Sequence, residues 1–297
     1  MPVTDRADAS IFWEERGDGE AILLVHGGLF DPMTGERFWT TPGVTDDLAA
    51  TGYRVLVPDR RYSPDRTTAS FAAHNWDIEA DDLAAILNAT GVERAHVVAG
   101  SNGCSAATRL ALRHPERVAT LVLCWPAAPT TAATLASFEQ SAAAVERDGT
   151  ASYLDALRRD GVPRPGEERP GFPFGFALLH DHRTASSFLT QTGTAAARIF
   201  RETAAALLPG DPIRGLTRDD AARLGSNGFP IYVMPAEPED PYHLRAVAHA
   251  LRAAIPGATL TRGFPVTTSR FFAAVGESFA LELQPLLRLN DGDTAPP

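Results

Sequence analysis

Ser101 is the residue from which chemistry is easiest to build. It sits in the string Ala99-Gly100-Ser101-Asn102-Gly103, a serine with tiny neighbours on both sides. Residues 96–99 carry the apolar, β-branched run of a strand buried on both faces. Residues 102–113 carry helical spacing, with Ala106, Ala107, Leu110 and Ala111 on one side. A serine at such a junction has a strained backbone and needs small flanks, because strand and helix pass close together. Its hydroxyl then stands at the end of a strand and at a helix N-terminus, where backbone N–H groups favour negative charge. That is the setting for a nucleophile.

The other reactive side chains are scattered. His180-Asp181-His182 has two imidazoles around a carboxylate, but no third ligand at a sensible spacing, so the expectation is a polar loop and no metal. Phe172, Phe174 and Phe176 alternate in a Pro/Gly-rich stretch. They fit either the lining of a substrate pocket or a loop packed by its own aromatics.

The elements that would position these residues alternate. Strands are expected at 11–16, 21–25, 53–57, 96–99 and 118–124, with a helix over 75–90 whose first turns are acidic, as the helix dipole prefers. This rhythm predicts an α/β fold with a doubly wound, mostly parallel sheet. Chemistry in such sheets gathers at the carboxyl ends of the strands. His26-Gly27-Gly28, Ser101 and Trp125 would all stand there. From 130 to 228 the rhythm changes to alanine-rich helical stretches with no strand pattern, which reads as a helical cap inserted into a core made of 1–129 and 229–297. Strand signals resume at 230–234 and 259–264, with helices over 242–255 and 271–289 and a polar tail from 290.

The chain has 297 residues and a formal net charge of −10, which argues against nucleic acid and anionic membranes as partners and for a small-molecule substrate. No stretch is long and apolar enough to span a bilayer, and the first ten residues carry no secretion signal, so the expected location is cytoplasmic. Cys104 and Cys124 fall in core elements and are expected to be reduced.

Together the elbow, the strand order and the His26-Gly27-Gly28 loop resemble the α/β-hydrolase superfamily, with Ala99 where that family usually has its first glycine. The resemblance implies Ser101 as nucleophile. It implies an oxyanion hole from the backbone N–H of Asn102 and of Gly28 or Leu29, with no cofactor. It assigns the catalytic acid to the loop after the strand at 230–234, where Asp240-Pro241 matches the family's Asp-Pro pair and Glu237 and Glu239 are the alternatives. His26 is read as structural. The family's Asp-x-Arg-Gly turn appears as Asp59-Arg60-Arg61-Tyr62, so Tyr62 is a candidate to face the pocket, with Trp125 another.

One element of the pattern is missing. The stretch 263–271, where the family keeps its histidine base, has none, and no histidine follows His249. A serine hydroxyl without a base is a poor nucleophile at neutral pH. His243, three residues after Asp240, and His180 or His182, dropped in from the cap, are the replacements left open. The expected activity is that of an esterase or lactonase on a small, largely apolar carbonyl compound. The alternatives are a non-hydrolytic cyclase, lyase or isomerase that uses the same oxyanion hole, and a ligand-binding pseudoenzyme.

Overall fold

The computed structural model describes residues 2–63, 66–128, 131–161, 173–273 and 278–288. The core half runs β1 (Val3–Asp5), β2 (Ala9–Arg16), β3 (Glu20–Val25), a π-helical turn (Glu36–Thr40), α1 (Val44–Ala50), β4 (Tyr53–Pro58), β5 (Thr68–Ala69), α2 (Trp76–Ala89), β6 (Ala95–Gly100), α3 (Gly103–Arg113) and β7 (Val118–Cys124). Helices α4 (Ala132–Asp160), α5 (Gly175–His180), α6 (His182–Leu189), α7 (Gly193–Leu207) and α8 (Arg218–Leu224) follow. The chain then returns to the core as β8 (Ile231–Met234), α9 (Arg245–Ala254), β9 (Thr259–Leu260) and α10 (Phe279–Arg288).

The strands form one sheet in the order β1-β2-β4-β3-β6-β7-β8-β9, with β5 added to β2. β3, β4, β6, β7, β8 and β9 are parallel, and β1, β2 and β5 are antiparallel. β6 lies centrally and is buried along its whole length, as its Val97-Val98-Ala99 run requires. Apolar residues of α2, α3 and α9 fill one face of the sheet, and those of α1 and α10 the other. A third apolar cluster joins the helices between β7 and β8 to the sheet through Ile11, Tyr62, Phe71, Phe174 and Phe200.

Several boundaries differ from expectation. β1 and β5 are present where no strand was expected; two or three residues are too short to show a period. The first alanine-rich stretch forms α4, broken at Gly149, whose φ of 81° lies outside the helical region. The last strand is two residues plus an isolated bridge between Ala236 and Phe264, and the last helix begins only at Phe279. α9 starts at Arg245, not at Tyr242, so Tyr242 and His243 lie in a loop. Both cysteines are buried and free.

Candidate active site

Ser101 stands just beyond β6 with φ of 56°, in the left-handed region. Its N–H donates to the carbonyl of Cys124 at 3.0 Å, and its own carbonyl accepts from Cys104 N–H at 3.1 Å, so the sheet runs into the helix with no intervening loop. The glycines explain why this is possible. A Cβ on Gly103 would lie 2.6 Å from the carbonyl oxygens of Val25 and His26, and one on Gly100 would enter the ring of Phe38. Only 9% of Ser101 is exposed.

The Ser101 hydroxyl lies 2.9 Å from Nε2 of His243. Nδ1 of the same ring lies 3.0 and 2.9 Å from the two carboxylate oxygens of Asp240. The carboxylate fixes the proton on Nδ1 and leaves the Nε2 lone pair facing the hydroxyl. Both His243 and Asp240 come from the loop between β8 and α9. Asp240-Pro241-Tyr242-His243 closes as a tight turn: Asp240 Oδ1 accepts the N–H groups of Tyr242 at 2.8 Å and His243 at 3.0 Å, and the Asp240 carbonyl accepts His243 N–H at 3.1 Å. Asp at the first position and Pro at the second favour this turn, which returns the fourth residue beside the first. Ala128 N–H holds the loop through the Tyr242 carbonyl at 2.8 Å. Burial opposes the charge on Asp240, but the hydrogen bond and charge of His243 and the two N–H groups outweigh it, so the carboxyl titrates below its ordinary value.

The other candidates for acid and base are engaged elsewhere. Glu239 accepts from the backbone N–H of Arg245 at 2.8 Å, and Glu237 pairs with the Arg245 side chain. His180 is exposed and stacks on half-buried Phe176, with ring centroids 6.0 Å apart. His182 is exposed beside Ser186 in the first turn of α6. Asp181, between them, caps α6 and accepts from Thr184 Oγ1 at 2.6 Å and Ala69 N–H at 2.9 Å, so it ties α6 to β5.

The loop after β3 packs against the nucleophile: a Cβ on Gly27 would lie 2.7 Å from Ser101 Cβ. His26 Nδ1 donates to the Gly27 carbonyl at 2.6 Å, and its Nε2 accepts the Arg60 N–H at 2.9 Å. Burial, with the charge of Arg60 adding to it, lowers its pKa from the usual 6.5 to about 3, so the ring stays neutral in this tautomer. The Asp31 carboxylate accepts the Met33 N–H at 3.2 Å. Of the two second donors expected, Gly28 directly follows the glycine packed on Ser101.

The residues expected to line a pocket are placed differently. Trp125 is fully buried: its indole donates to the Phe264 carbonyl at 2.7 Å and packs 5.2 Å from Phe279 and 6.0 Å from Trp39, so it belongs to the core. Phe174 is also fully buried, 4.3 Å from Phe30 and 4.7 Å from Tyr62, and serves cap packing. Tyr62 takes the glycine position of the family turn at φ 63°, with its hydroxyl donated to the Ser70 carbonyl at 3.0 Å. It lines a cavity of about 10 Å³ behind the loop after β3, together with Gly28, Phe30, His74 and Glu79, which has room for a single water. Phe172 lies outside the described residues. Where the histidine of the family would stand, Phe264, Val266 and Thr267 are buried instead.

Sequence reasoning missed two arginines. Arg60 enters the buried network below. Arg214, from the segment between α8 and the preceding helix, donates to the Asn102 side chain at 2.6 Å; burial lowers its pKa. A pair of arginines one residue after a mostly apolar strand, with Glu79 and Asp82 one helical turn apart later in the chain, was the available signal for the first. No comparable signal marks Arg214.

A family profile described as alpha/beta hydrolase fold matches residues 20–223. The chain belongs to the alpha/beta hydrolase fold family. The 2-hydroxy-6-oxo-6-phenylhexa-2,4-dienoate hydrolase of Comamonas testosteroni is 30% identical over 124 residues, 41% of this chain and 42% of that enzyme. A 2-hydroxymuconate semialdehyde hydrolase of a Pseudomonas is 31% identical over 109 residues, 37% of each chain. The matched stretch thus spans about two-fifths of these relatives. Among solved structures, the enol-lactonase of Burkholderia xenovorans aligns with a TM-score of 0.60 at 19% identity, covering 96% of this chain and 99% of that one. A hydrolase of Pseudomonas aeruginosa aligns with a TM-score of 0.61 at 20% identity, covering 96% and 97%. At these identities the structural likeness speaks for the alpha/beta hydrolase fold. Among the described residues, no helix is long and apolar enough to cross a membrane.

Proposed function

We propose that this chain is a serine hydrolase of small, largely apolar esters or lactones, with Ser101, His243 and Asp240 as its catalytic triad. The observation that carries the proposal is the 2.9 Å approach of His243 Nε2 to the Ser101 hydroxyl, with Asp240 on the far side of the ring. A base within hydrogen-bond reach and oriented by a third group is what an activated serine requires. Ser101 Oγ attacks the carbonyl carbon while its proton passes to His243 Nε2, and Asp240 stabilises the imidazolium that forms. The N–H groups of Gly28 and Asn102 receive the oxyanion. Collapse of the intermediate expels the alcohol, which takes the proton from His243. Water then attacks the acyl-enzyme, giving one proton to His243, which returns it to Ser101. The helices between β7 and β8 serve as a cap that selects the substrate. The relatives named as hydrolases of keto-dienoates and semialdehydes support hydrolysis of a carbonyl compound. The non-hydrolytic alternative drew its support from a missing base, and His243 removes that support.

The test is labelling by a fluorophosphonate, read by intact mass, alongside turnover of a short p-nitrophenyl ester. Wild type should gain one adduct and turn over the ester, and Ser101→Ala should do neither. A wild-type protein that is neither labelled nor active would overturn the proposal.

A further inference from the structure

We infer that Arg60 is a positioning residue of the oxyanion hole: its guanidinium grips the carbonyls of the loop after β3 from behind and so aims the Gly28 N–H at the reacting oxygen. The inference rests on the hydrolase reading above. Arg60 Nη1 donates to the Gly28 carbonyl at 2.8 Å and approaches those of Gly27 and His26 at 3.3 Å each. A trans peptide is planar, with C=O and N–H pointing in opposite directions. The 27–28 and 28–29 peptides are both trans, since the described cis bonds lie at Asp211-Pro212 and Glu237-Pro238. A Gly27 carbonyl turned toward Arg60 therefore turns the Gly28 N–H away from it. The Gly28 carbonyl, held in the same way, turns the Leu29 N–H away from Arg60. His26 adds a second donor to the Gly27 carbonyl at 2.6 Å.

Glycine at 28 makes the arrangement necessary. Its φ of 86° lies in a region where most residues are strained, and with no side chain it has no anchor of its own. The guanidinium supplies the anchor from outside the loop. Arg60 is itself fixed: Glu79 holds it in a fork, with one arm at 2.8 Å, and His74 holds Glu79 at 2.9 Å. Burial opposes the charge on Glu79, but Arg60 and His74 beside it keep the carboxyl ionised, well below its usual range. Arg60 is 6% exposed and Glu79 3%. A positive charge on the carbonyl side of a peptide also polarises it and strengthens its N–H as a donor.

The experiment compares Arg60→Lys and the double variant Arg60→Met/Glu79→Gln with wild type. Lysine keeps the charge opposite Glu79 but cannot span the fork and the carbonyls together. Loss of an aimed oxyanion donor lowers kcat about 100- to 1000-fold in other hydrolases. Both variants, normalised to folded protein by circular dichroism, should show a fall in kcat of that order with KM within about threefold. Affinity for a trifluoromethyl ketone, which forms an oxyanion on Ser101, should fall in step with kcat/KM, while affinity for the matching methyl ketone stays level. The double variant tests the idea without leaving a bare buried charge, and Arg60→Lys tests it should the double variant not fold. Either folded variant with wild-type kcat would overturn the inference and leave the hydrolase reading intact. Equal ester turnover by Ser101→Ala would overturn the hydrolase reading itself.

Discussion

Two neighbouring loops at the carboxyl edge of the sheet have exchanged tasks. The loop after β8 is polar, partly exposed and bound by its own carboxylate; Asp240 keeps 37% and His243 11% of its side chain exposed. The segment after β9 serves the core: Phe264 and Val266 are buried, and the Phe264 carbonyl accepts from Trp125. In the proposed triad the first carries the acid and the base, and the second contributes to the aromatic core. An imidazole needs reach to the serine, a carboxylate behind it and enough water to change its charge. A turn of four residues after β8 supplies all three. Once it does, the β9 segment is free to pack, and tryptophan can fill the space beneath it.

The comparison can be broken most directly at His243. His243→Ala should lower kcat for a short ester by about 10⁶-fold, as base removal does in other serine hydrolases. Survival of more than a tenth of the activity would return the base to another residue. Asp240→Asn should cost about 10⁴-fold by losing the tautomer that faces Ser101; steady-state kinetics on folded protein measures it. The β9 side should respond only in stability. Trp125→Phe removes the indole donor from the Phe264 carbonyl, which keeps the Glu237 N–H at 3.1 Å, and should lower unfolding free energy by about 1 kcal/mol in a urea titration, with kcat per folded molecule unchanged. A large loss of kcat there would mean that the segment still serves the chemistry. The last test concerns the acid response. The folded pKa of His26, about 3, lies below its ordinary 6.5, so the unfolded chain binds the proton first. Its contribution to stability is complete above pH 6.5 and is lost progressively as pH falls toward 3. His26→Gln should flatten that part of the stability profile.

Much of the fold is legible in the sequence because its central strands are continuous apolar runs and its elbow needs small residues on both sides of Ser101. The parallel order from β3 to β8 follows from that alternation. β1 and β5 are not legible, since a strand of two or three residues is defined by its partner. The site divides in the same way. Ser101 and Gly28 are marked by local backbone needs, and Asp240 by the proline after it. Three histidines stay open in the sequence because the choice depends on a path through space. A helix starting at Tyr242 would have carried His243 along α9; the turn at Asp240-Pro241 holds it back, and that turn was written as Asp-Pro. Trp125 and Phe174 look like pocket residues because an aromatic at a sheet edge has the same spelling whether it faces a ligand or a core. Arg60 is the hardest to read, because its function depends on three carbonyls more than thirty residues away in the chain.

The two residues between Asp240 and His243 also bear on how such a site could be moved. Acid and base here form a cassette that a single short segment encodes. Grafting residues 237–244 onto another sheet of this kind would transfer both groups with their mutual geometry, leaving one distance, to the serine, to be set by the host. A one-residue deletion inside the cassette would silence the chemistry altogether. None of the described residues beyond β9 belongs to the proposed triad, so on that reading this part of the chain is open to change so long as the aromatic core stays filled.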